Sequence, residues 1–442
     1  MAGPSARKLF GTDGVRGVAG SEITAALALA LGRAAVLQSG TELPRVLVIR
    51  DTRESGEMLE AAIAAGLASA GAEVLLGGVL PTPAASLLIR RHGFDLGVVL
   101  SASHNVYTDN GIKFFGADGF KLADDREHEI EAHLDEEGAS AAYVGRIRKL
   151  HGAREDYNRD LHHRFQSLAL NDLDVLLDCA NGATYRVAPA IFERLGARVS
   201  TIAADPDGRN INAACGSTHV ETLAGAVRAG GHDIGFAFDG DGDRVLAVDR
   251  TGALVDGDEL LTLVALHLLE EDRLPGNGIA VTVMTNFAIV AALERAGLEV
   301  ASTAVGDRYV LEALRERGWA LGGEQSGHII ELGFAPSGDG IASALLLLEA
   351  LDGRDLSRRA EIEKLPQRLV NVRVLDRGSL EGASAVHAAI EREARGLAGR
   401  GRVLVRPSGT EPLVRVMVEA PSNDEAEAVC ARLVAVVEAE LG

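Results

Sequence analysis

Ser101-Ala102-Ser103-His104-Asn105 directly follows the apolar run Leu96-Gly97-Val98-Val99-Leu100, which reads as a buried strand. A small hydroxyl-bearing loop at the end of such a strand is where α/β proteins place chemistry. A serine hydrolase would need Gly-x-Ser-x-Gly and a distant triad, and this run lacks that frame. A serine that carries a phosphoryl group is the other chemistry, and a plain turn is the alternative to both. Lys113, within Asp109 to Phe115, lies on a short strand that can return beside the serine.

Asp239-Gly240-Asp241-Gly242-Asp243-Arg244 follows the strand Ile234 to Phe238. Alternating carboxylates with glycines between them let the backbone curl so that three oxygens face one hard cation, Mg²⁺ or Ca²⁺. An EF-hand does not fit, because Arg244 stands where that loop needs glycine and Arg250 where it needs glutamate. An Asp-Gly hairpin turn is the plainer reading, but three aspartates and an arginine together weigh toward metal. Glu324, Ser326 and His328 alternate in Gly322 to His328, as in one extended loop offering them to a hydroxyl-rich ligand; a featureless loop explains them as well. Arg406-Pro407-Ser408-Gly409-Thr410-Glu411, followed by Arg415, has the hydroxyls and arginine forks of a phosphate cradle. It is not a Walker A loop, and a β-turn with surface arginines is its alternative. Phe10 to Gly17 reads as a tight loop aiming Arg16 inward, or as a flexible turn.

The elements that must hold these loops alternate between strand and helix. Strands are expected at Arg45 to Ile49, Glu73 to Leu76, Leu96 to Leu100 and Gly111 to Phe115, with helices at Ser55 to Ala70 and Pro83 to Arg91. A second cycle runs from Asp174 to Phe238 and a third from about Asp256 through the helix after Gly306. Such alternation implies mostly parallel sheets covered on both faces. The tail, with strands at Arg368 to Leu375, Val403 to Arg406 and Val414 to Glu419, reads as a smaller α+β unit with antiparallel neighbours. Charged stretches at Arg154 to Asp160, Asp249 to Asp258 and Asp352 to Glu363 read as connectors.

The chain has 442 residues, is 47% apolar and carries a formal net charge of -20. That charge argues against a nucleic-acid partner or an anionic membrane surface. An anionic substrate therefore needs a local basic pocket, which the Arg406 loop supplies. Lysine occurs only at Lys8, Lys113, Lys121, Lys149 and Lys364. Three cysteines without CxxC spacing fit a reduced compartment rather than disulfides or zinc. Met1 to Phe10 has no apolar core of a signal peptide, so a cytoplasmic location is expected.

In this order the loops resemble the α-D-phosphohexomutase superfamily over essentially the whole chain. The resemblance rests on Phe10 to Gly17, Ser101 to Asn105, Asp178 to Thr184, Asn210 to Asn212 with Cys215 to His219, Asp239 to Arg244, Val305 to Val310, Gly323 to His328 and Arg406 to Glu411. The Cys215, Val305 and Gln325 segments are particular to the branch acting on glucosamine phosphates. The fold class implied is α/β, with three tandem mixed-sheet α/β/α domains plus a smaller α+β C-terminal domain, four domains around a central cleft. Their expected bounds are 1–152 for the phosphoserine loop, 153–252 for the metal loop, 253–362 for the sugar loop and 363–442 for the phosphate loop.

The activity implied is interconversion of glucosamine 6-phosphate and glucosamine 1-phosphate through a phosphoserine and a hexosamine 1,6-bisphosphate intermediate, toward UDP-N-acetylglucosamine and cell-wall precursors. Ser103 maps to the phosphoserine and joins Asp239, Asp241 and Asp243 as a ligand of Mg²⁺. Arg16 and Lys113 match acid/base and electrostatic residues, the choice of base between them being open. His104 belongs to the catalytic group as a neighbour shaping the site rather than a triad base. Glu324, Ser326 and His328 match the sugar loop, Arg244 adds a substrate contact, and Arg406, Ser408, Gly409, Thr410 and Arg415 match the distal phosphate site. Sugar phosphates are the partners implied, with room for an activating kinase and a homodimer. The alternatives are a phosphomannomutase or phosphoglucomutase with the same chemistry, or a non-catalytic sugar-phosphate sensor. One departure stands out: Val106 replaces the family's proline after Asn105, so the loop lacks the fixed φ that proline would supply.

Overall fold

The computed structural model describes residues 9–11, 13–134, 143–359, 363–408 and 412–442. The first sheet holds β1 (Val15–Val18), β2 (Arg45–Arg50), β3 (Glu73–Val79), β4 (Leu96–Leu100), β5 (Asp109–Gly116) and β6 (Ile147–Lys149), in the order β1-β5-β4-β2-β3-β6. β4, β2, β3 and β6 run parallel, while β5 reverses against β4 and carries β1 antiparallel. The second sheet holds β7 (Asp174–Asp178), β8 (Arg198–Ile202), β9 (Ile234–Phe238), β10 (Val245–Asp249) and β11 (Leu254–Val255), in the order β11-β10-β9-β7-β8. The third holds β12 (Gly278–Thr282), β13 (Glu299–Thr303), β14 (Leu321–Gly323) and β15 (Ile329–Glu331), in the order β13-β12-β14-β15. The last is antiparallel throughout, β16 (Gln367–Arg373), β18 (Leu413–Glu419) and β17 (Arg402–Pro407).

The three large sheets are therefore mixed. Each is parallel at its centre and leaves that parallel core through a short reversing loop: β4 to β5, β9 to β10, and β14 to β15. Such loops are too short for a parallel crossover, which needs about a dozen residues. The three reversing loops are the Ser103, Asp239 and Glu324 loops, each at the carboxyl end of a parallel strand. β4 and β9 are buried at every position, as strands covered on both faces must be.

The helices that escape the sequence reading include Ala25–Ser39 and Gly340–Leu351. The second has eleven of its twelve residues buried, so it shows no polar face and no amphipathic period. Two charged stretches are not connectors. Arg154 to Asp160 lies within the helix Ala153–Arg164, whose Ala153, Tyr157 and Leu161, four apart, are buried. Asp249 to Asp258 contains β11 and the capping box of the helix Gly257–Glu270, in which Asp256 and Glu259 satisfy each other's backbone N–H groups.

The chain forms two compact units, Met1–Met284 with Glu299–Arg359, and Thr285–Leu298 with Ala360–Gly442. In the second, Asn286 Nδ2 donates to the Leu365 carbonyl at 3.0 Å and the Phe287 N–H donates to Glu419 Oε2 at 2.8 Å. Among the described residues no helix is long and apolar enough to cross a membrane.

Asp339 caps Gly340–Leu351 by accepting the Ala342 N–H at 2.9 Å, and its other oxygen takes the Tyr157 hydroxyl at 2.9 Å. Burial raises its carboxyl from the usual 3.8 to about 6, although these hydrogen bonds oppose the rise. The folded state then binds the proton more tightly than the unfolded chain does. The resulting stability is complete below the ordinary carboxylate range and is lost as pH rises through about 6. Between about pH 7.5 and about pH 5 the wild type is expected to gain on the order of 1–2 kcal/mol over Asp339→Asn, read as a closing gap in melting temperature. A gap independent of pH would contradict the assignment.

Candidate functional site

Ser103 is 1% exposed and sits at φ 52°, the left-handed region that non-glycine residues rarely adopt. A strained serine of this kind needs a surrounding structure that enforces it. Arg53, with no exposed surface, does so. Its Nη2 donates to the carbonyls of Ser103 and Asn105, both at 2.9 Å. Its Nη1 donates to the carbonyls of Val106 and Asp109, the latter at 3.0 Å. Its Nε donates to Asp51 Oδ2 at 2.8 Å. Asn212 Nδ2 grips the Ser103 carbonyl again at 2.9 Å and that of Asn105 at 3.0 Å. The loop is thus fastened through its carbonyls, and Val106, whose side chain is exposed, needs no proline ring to hold its backbone.

The two serines of the loop separate cleanly. Ser101 Oγ donates to Asp51 Oδ2 at 2.6 Å and accepts the Ser103 N–H at 3.0 Å, so it belongs to the scaffold. Ser103 Oγ donates to Asp239 Oδ2 at 2.6 Å. The nearer His104 nitrogen is 3.4 Å from Ser103 Oγ and 3.3 Å from Arg244 Nη1. Burial, then Arg244 and Arg16, lower the His104 imidazole to about 4, which leaves it neutral near pH 7.

Asp239, Asp241 and Asp243 are all buried, with one oxygen of each within 4.8 Å of the others. The loop rides directly on the serine loop: a Cβ on Gly240 would meet the Ser103 carbonyl oxygen at 2.6 Å. Several of their oxygens are spoken for. Asp239 Oδ1 takes the Arg244 N–H at 3.2 Å, and Asp241 Oδ2 takes Thr82 Oγ1 at 2.7 Å and Lys113 Nζ at 3.0 Å. Asp241 Oδ1 and Asp243 Oδ1 are buried with no hydrogen-bond partner. Buried carboxylate oxygens left unpaired are costly, and three hard oxygens converging in this way fit a divalent cation. Burial, then Asp243 and Asp241, push Asp239 well above the usual carboxylate range. Burial also works against ionising Asp243, but His328, Lys113 and Arg244 outweigh it and hold the group low.

β1 and β5 pair with Arg16 opposite Gly111, which brings Arg16 and Lys113 to the same end of the sheet. Lys113 Nζ, 1% exposed, lies 3.0 Å from Asp13 Oδ2 and 3.0 Å from Asp241 Oδ2. Burial disfavours its charge, yet Asp13 and Asp241 prevail and raise it above an ordinary lysine. Arg16 pairs with Asp13.

The Glu324 loop is a tight turn rather than an extended run: the Gly327 N–H returns to the Glu324 carbonyl at 3.0 Å. Glu324 Oε1 takes the Gly306 N–H at 3.0 Å, and Ser326 Oγ is buried without a partner. His328 is 2% exposed, with Nδ1 3.6 Å from Asp243 Oδ2 and Nε2 3.1 Å from the Gly338 nitrogen. It therefore backs the aspartate loop, and the three side chains do not share one outward face.

In the second unit Arg406 and Arg415 stand directly opposite each other on β17 and β18. Burial and then Arg415 lower Arg406 from the ordinary arginine value, and Arg415 Nε is buried without a partner. Two arginines facing each other across strands suit an anion that both can hold. The Ser408 N–H donates to the Leu413 carbonyl at 2.8 Å; Gly409 and Thr410 lie outside the described residues.

Sequence reasoning missed Arg53, Asp51, Asn212 and Asp13. An Asp and an Arg two apart at the carboxyl end of the apolar run Val46 to Ile49 were the available signal for the first two.

Four family descriptions match in tandem: phosphoglucomutase/phosphomannomutase α/β/α domain I at residues 7–141, domain II at 155–252, domain III at 256–369 and the C-terminal domain at 369–436. The chain is 51% identical over 438 residues to the phosphoglucosamine mutase of Moorella thermoacetica, covering 96% of this chain and 98% of that one. It is 50% identical over 454 residues to that of Streptomyces avermitilis, covering 98% and 100%. Its fold matches a phosphoglucomutase/phosphomannomutase family protein from Burkholderia thailandensis with a TM-score of 0.83 at 24% identity, over 98% of this chain and 97% of the other. With its three reversing loops and four matching domains, the chain belongs to the α-D-phosphohexomutase family, in the group of the phosphoglucosamine mutases.

Proposed function

We propose that this protein interconverts glucosamine 6-phosphate and glucosamine 1-phosphate with Ser103 as phosphoryl carrier. The observation that carries the reading is Ser103 Oγ seated on Asp239 beside two unpartnered carboxylate oxygens. Phosphorylated Ser103 gives its phosphoryl to the sugar 1-hydroxyl: the P–Oγ bond breaks, the P–O1 bond forms, and the hydroxyl proton leaves as Oγ is reprotonated. The bisphosphate turns over, its 6-phosphoryl returns to Ser103, and glucosamine 1-phosphate departs. Phosphoryl transfer asks mainly for positioning and charge stabilisation.

Asp239, Asp241 and Asp243, with Ser103, are the residues that would hold Mg²⁺, which when bound offsets charge developing on the phosphoryl oxygens. Lys113 and Arg16 supply fixed positive charge; a lysine held protonated between two carboxylates stabilises oxygens rather than removing a proton. Glu324 and Ser326 would take the sugar hydroxyls, and His328, 3.6 Å from Asp243 Oδ2, would steady that ligand. Arg406, Ser408 and Arg415, with Gly409 and Thr410, would take the far phosphate in either half-reaction.

Assay of the purified protein on glucosamine, glucose and mannose 6-phosphates, with intact mass to read phosphorylation, tests the reading. Preference for either neutral hexose would favour the phosphoglucomutase or phosphomannomutase alternative, and no turnover would favour a sensor. Asp241→Asn is expected to raise the Mg²⁺ needed for half-maximal rate and to lower turnover about 10- to 100-fold. An unchanged metal requirement would remove Asp241 from the cation site.

A further inference from the structure

Behind the aspartate loop, donors and carboxylates form one continuous file. Lys113 Nζ bridges Asp241 Oδ2 and Asp13 Oδ2, at 3.0 Å each. Asp13 Oδ1 lies 2.6 Å from Lys121 Nζ, which also reaches Asp307 Oδ2 at 2.6 Å. Asp307 Oδ2 is 3.9 Å from His328 Nε2, and His328 Nδ1 is 3.6 Å from Asp243 Oδ2. The file starts on one candidate cation ligand and ends on another. Both of these aspartates turn Oδ2 toward the file and keep Oδ1 without a hydrogen bond, that of Asp243 lying 3.9 Å from Arg244 Nε. The midpoint is Lys121, which joins the hairpin after β5 to the helix Asp307–Arg317.

We propose that Lys121 is a positioning residue for the cation site, bridging Asp13 and Asp307 so that Lys113 and His328 stay on the outer oxygens of Asp241 and Asp243. Without the bridge, Asp13 and Asp307 are two neighbouring carboxylates lacking a shared cation. Asp13 then draws harder on Arg16 and Lys113, and Asp307 on His328, so the outer anchors of Asp241 and Asp243 loosen. Burial works against a charged Lys121, but Asp13 and Asp307 outweigh it and raise it above an ordinary lysine, so the bridge persists at any ordinary pH. Ligand-orienting contacts of this sort typically change metal affinity by about 10- to 100-fold.

The sign of the effect separates positioning from bulk charge. Removing a cation close to three carboxylates would, by electrostatics alone, strengthen cation binding. Loss of positioning weakens it. The test is Mn²⁺ titration by electron paramagnetic resonance on the full chain, which needs no turnover. Lys121→Met is expected to weaken Mn²⁺ binding about 10-fold or more. Lys121→Arg, with a donor for each carboxylate, is expected to stay within about 3-fold of wild type. Equal or tighter binding by Lys121→Met overturns the proposal, as does an equal loss in Lys121→Arg. Should the Met variant fail to fold, Asp307→Asn breaks one end of the bridge and is expected to weaken Mn²⁺ binding about 3-fold or more; unchanged binding there also overturns it. The inference rests on the three aspartates forming a cation site. Failure of the wild type to bind Mn²⁺ defeats that reading, whereas wild-type binding with an unaffected variant defeats only this one.

Discussion

Replacing Ser103 with alanine is expected to lower mutase turnover by at least about 1,000-fold while leaving a folded protein. The substitution removes the only atom of the loop aimed at Asp239 and leaves the Arg53 and Asn212 grips on the backbone in place. The stability cost is small, because one hydrogen bond to a carboxylate is worth about 1–3 kcal/mol. Intact mass should show no phosphoryl on the variant, and far-UV circular dichroism should match the wild type. Near-normal turnover would end the carrier role. Ser103→Gly adds a separate reading. At φ 52° glycine is at ease where alanine is strained. The glycine variant is therefore expected to melt above the alanine variant and to be equally inactive. The reverse order of melting would show that the backbone there is not strained.

The second large effect is expected at Arg53, which holds the backbone of Ser103 rather than its reacting Oγ. Arg53→Met leaves Asp51 as a buried charge without its arginine partner and removes a donor from four loop carbonyls at once, of which Asn212 still holds those of Ser103 and Asn105. Breaking a buried ion pair from one side costs about 3–5 kcal/mol, so a large drop in melting temperature is expected alongside lost activity. Arg53→Lys separates the two. It keeps the charge near Asp51 but cannot span four acceptors, since the ammonium lacks the planar fork. A folded Arg53→Lys enzyme is expected to lose about 100-fold in kcat with little change in KM for the sugar phosphate, because the misplaced group is the phosphoryl carrier and not the sugar contacts. Equal loss in KM and kcat, or none in either, would count against a role in placing Ser103. Limited proteolysis at the Val106 loop should also rise in both variants.

Much of this site was legible as chemistry before it was legible as geometry. Hydroxyls, alternating carboxylates and paired arginines declare their uses through residue type, and the Ser103 and Asp239 loops each follow an apolar run that folds as a strand buried at every position. The helices Ala25–Ser39 and Gly340–Leu351 were not legible: the second is buried on nearly every side, and the first carries Ala25, Ala26 and Leu29 at exposed positions, so neither sequence shows the polar face that marks an amphipathic helix. The charged helix Ala153–Arg164 was misread for the opposite reason: three buried residues among nine polar or half-exposed ones leave too narrow an apolar stripe.

What the amino-acid sequence determined by itself is the inventory and its order: Ser103, the three aspartates and the Glu324 segment, each on a loop after a strand, and then the Arg406 to Arg415 segment. Local pattern sufficed, since strand burial and loop chemistry are properties of short segments. The tertiary structure alone decided the partnerships. Thr82 and Lys113 reach Asp241 across more than a hundred residues, Arg53 reaches a loop fifty residues away, and Lys121 reaches Asp307. It also seated Ser103 on Asp239 and Ser101 on Asp51, and turned His328 inward to Asp243. Those choices depend on which strand ends lie side by side, and strand order is set by packing of whole sheets rather than by any segment of the chain.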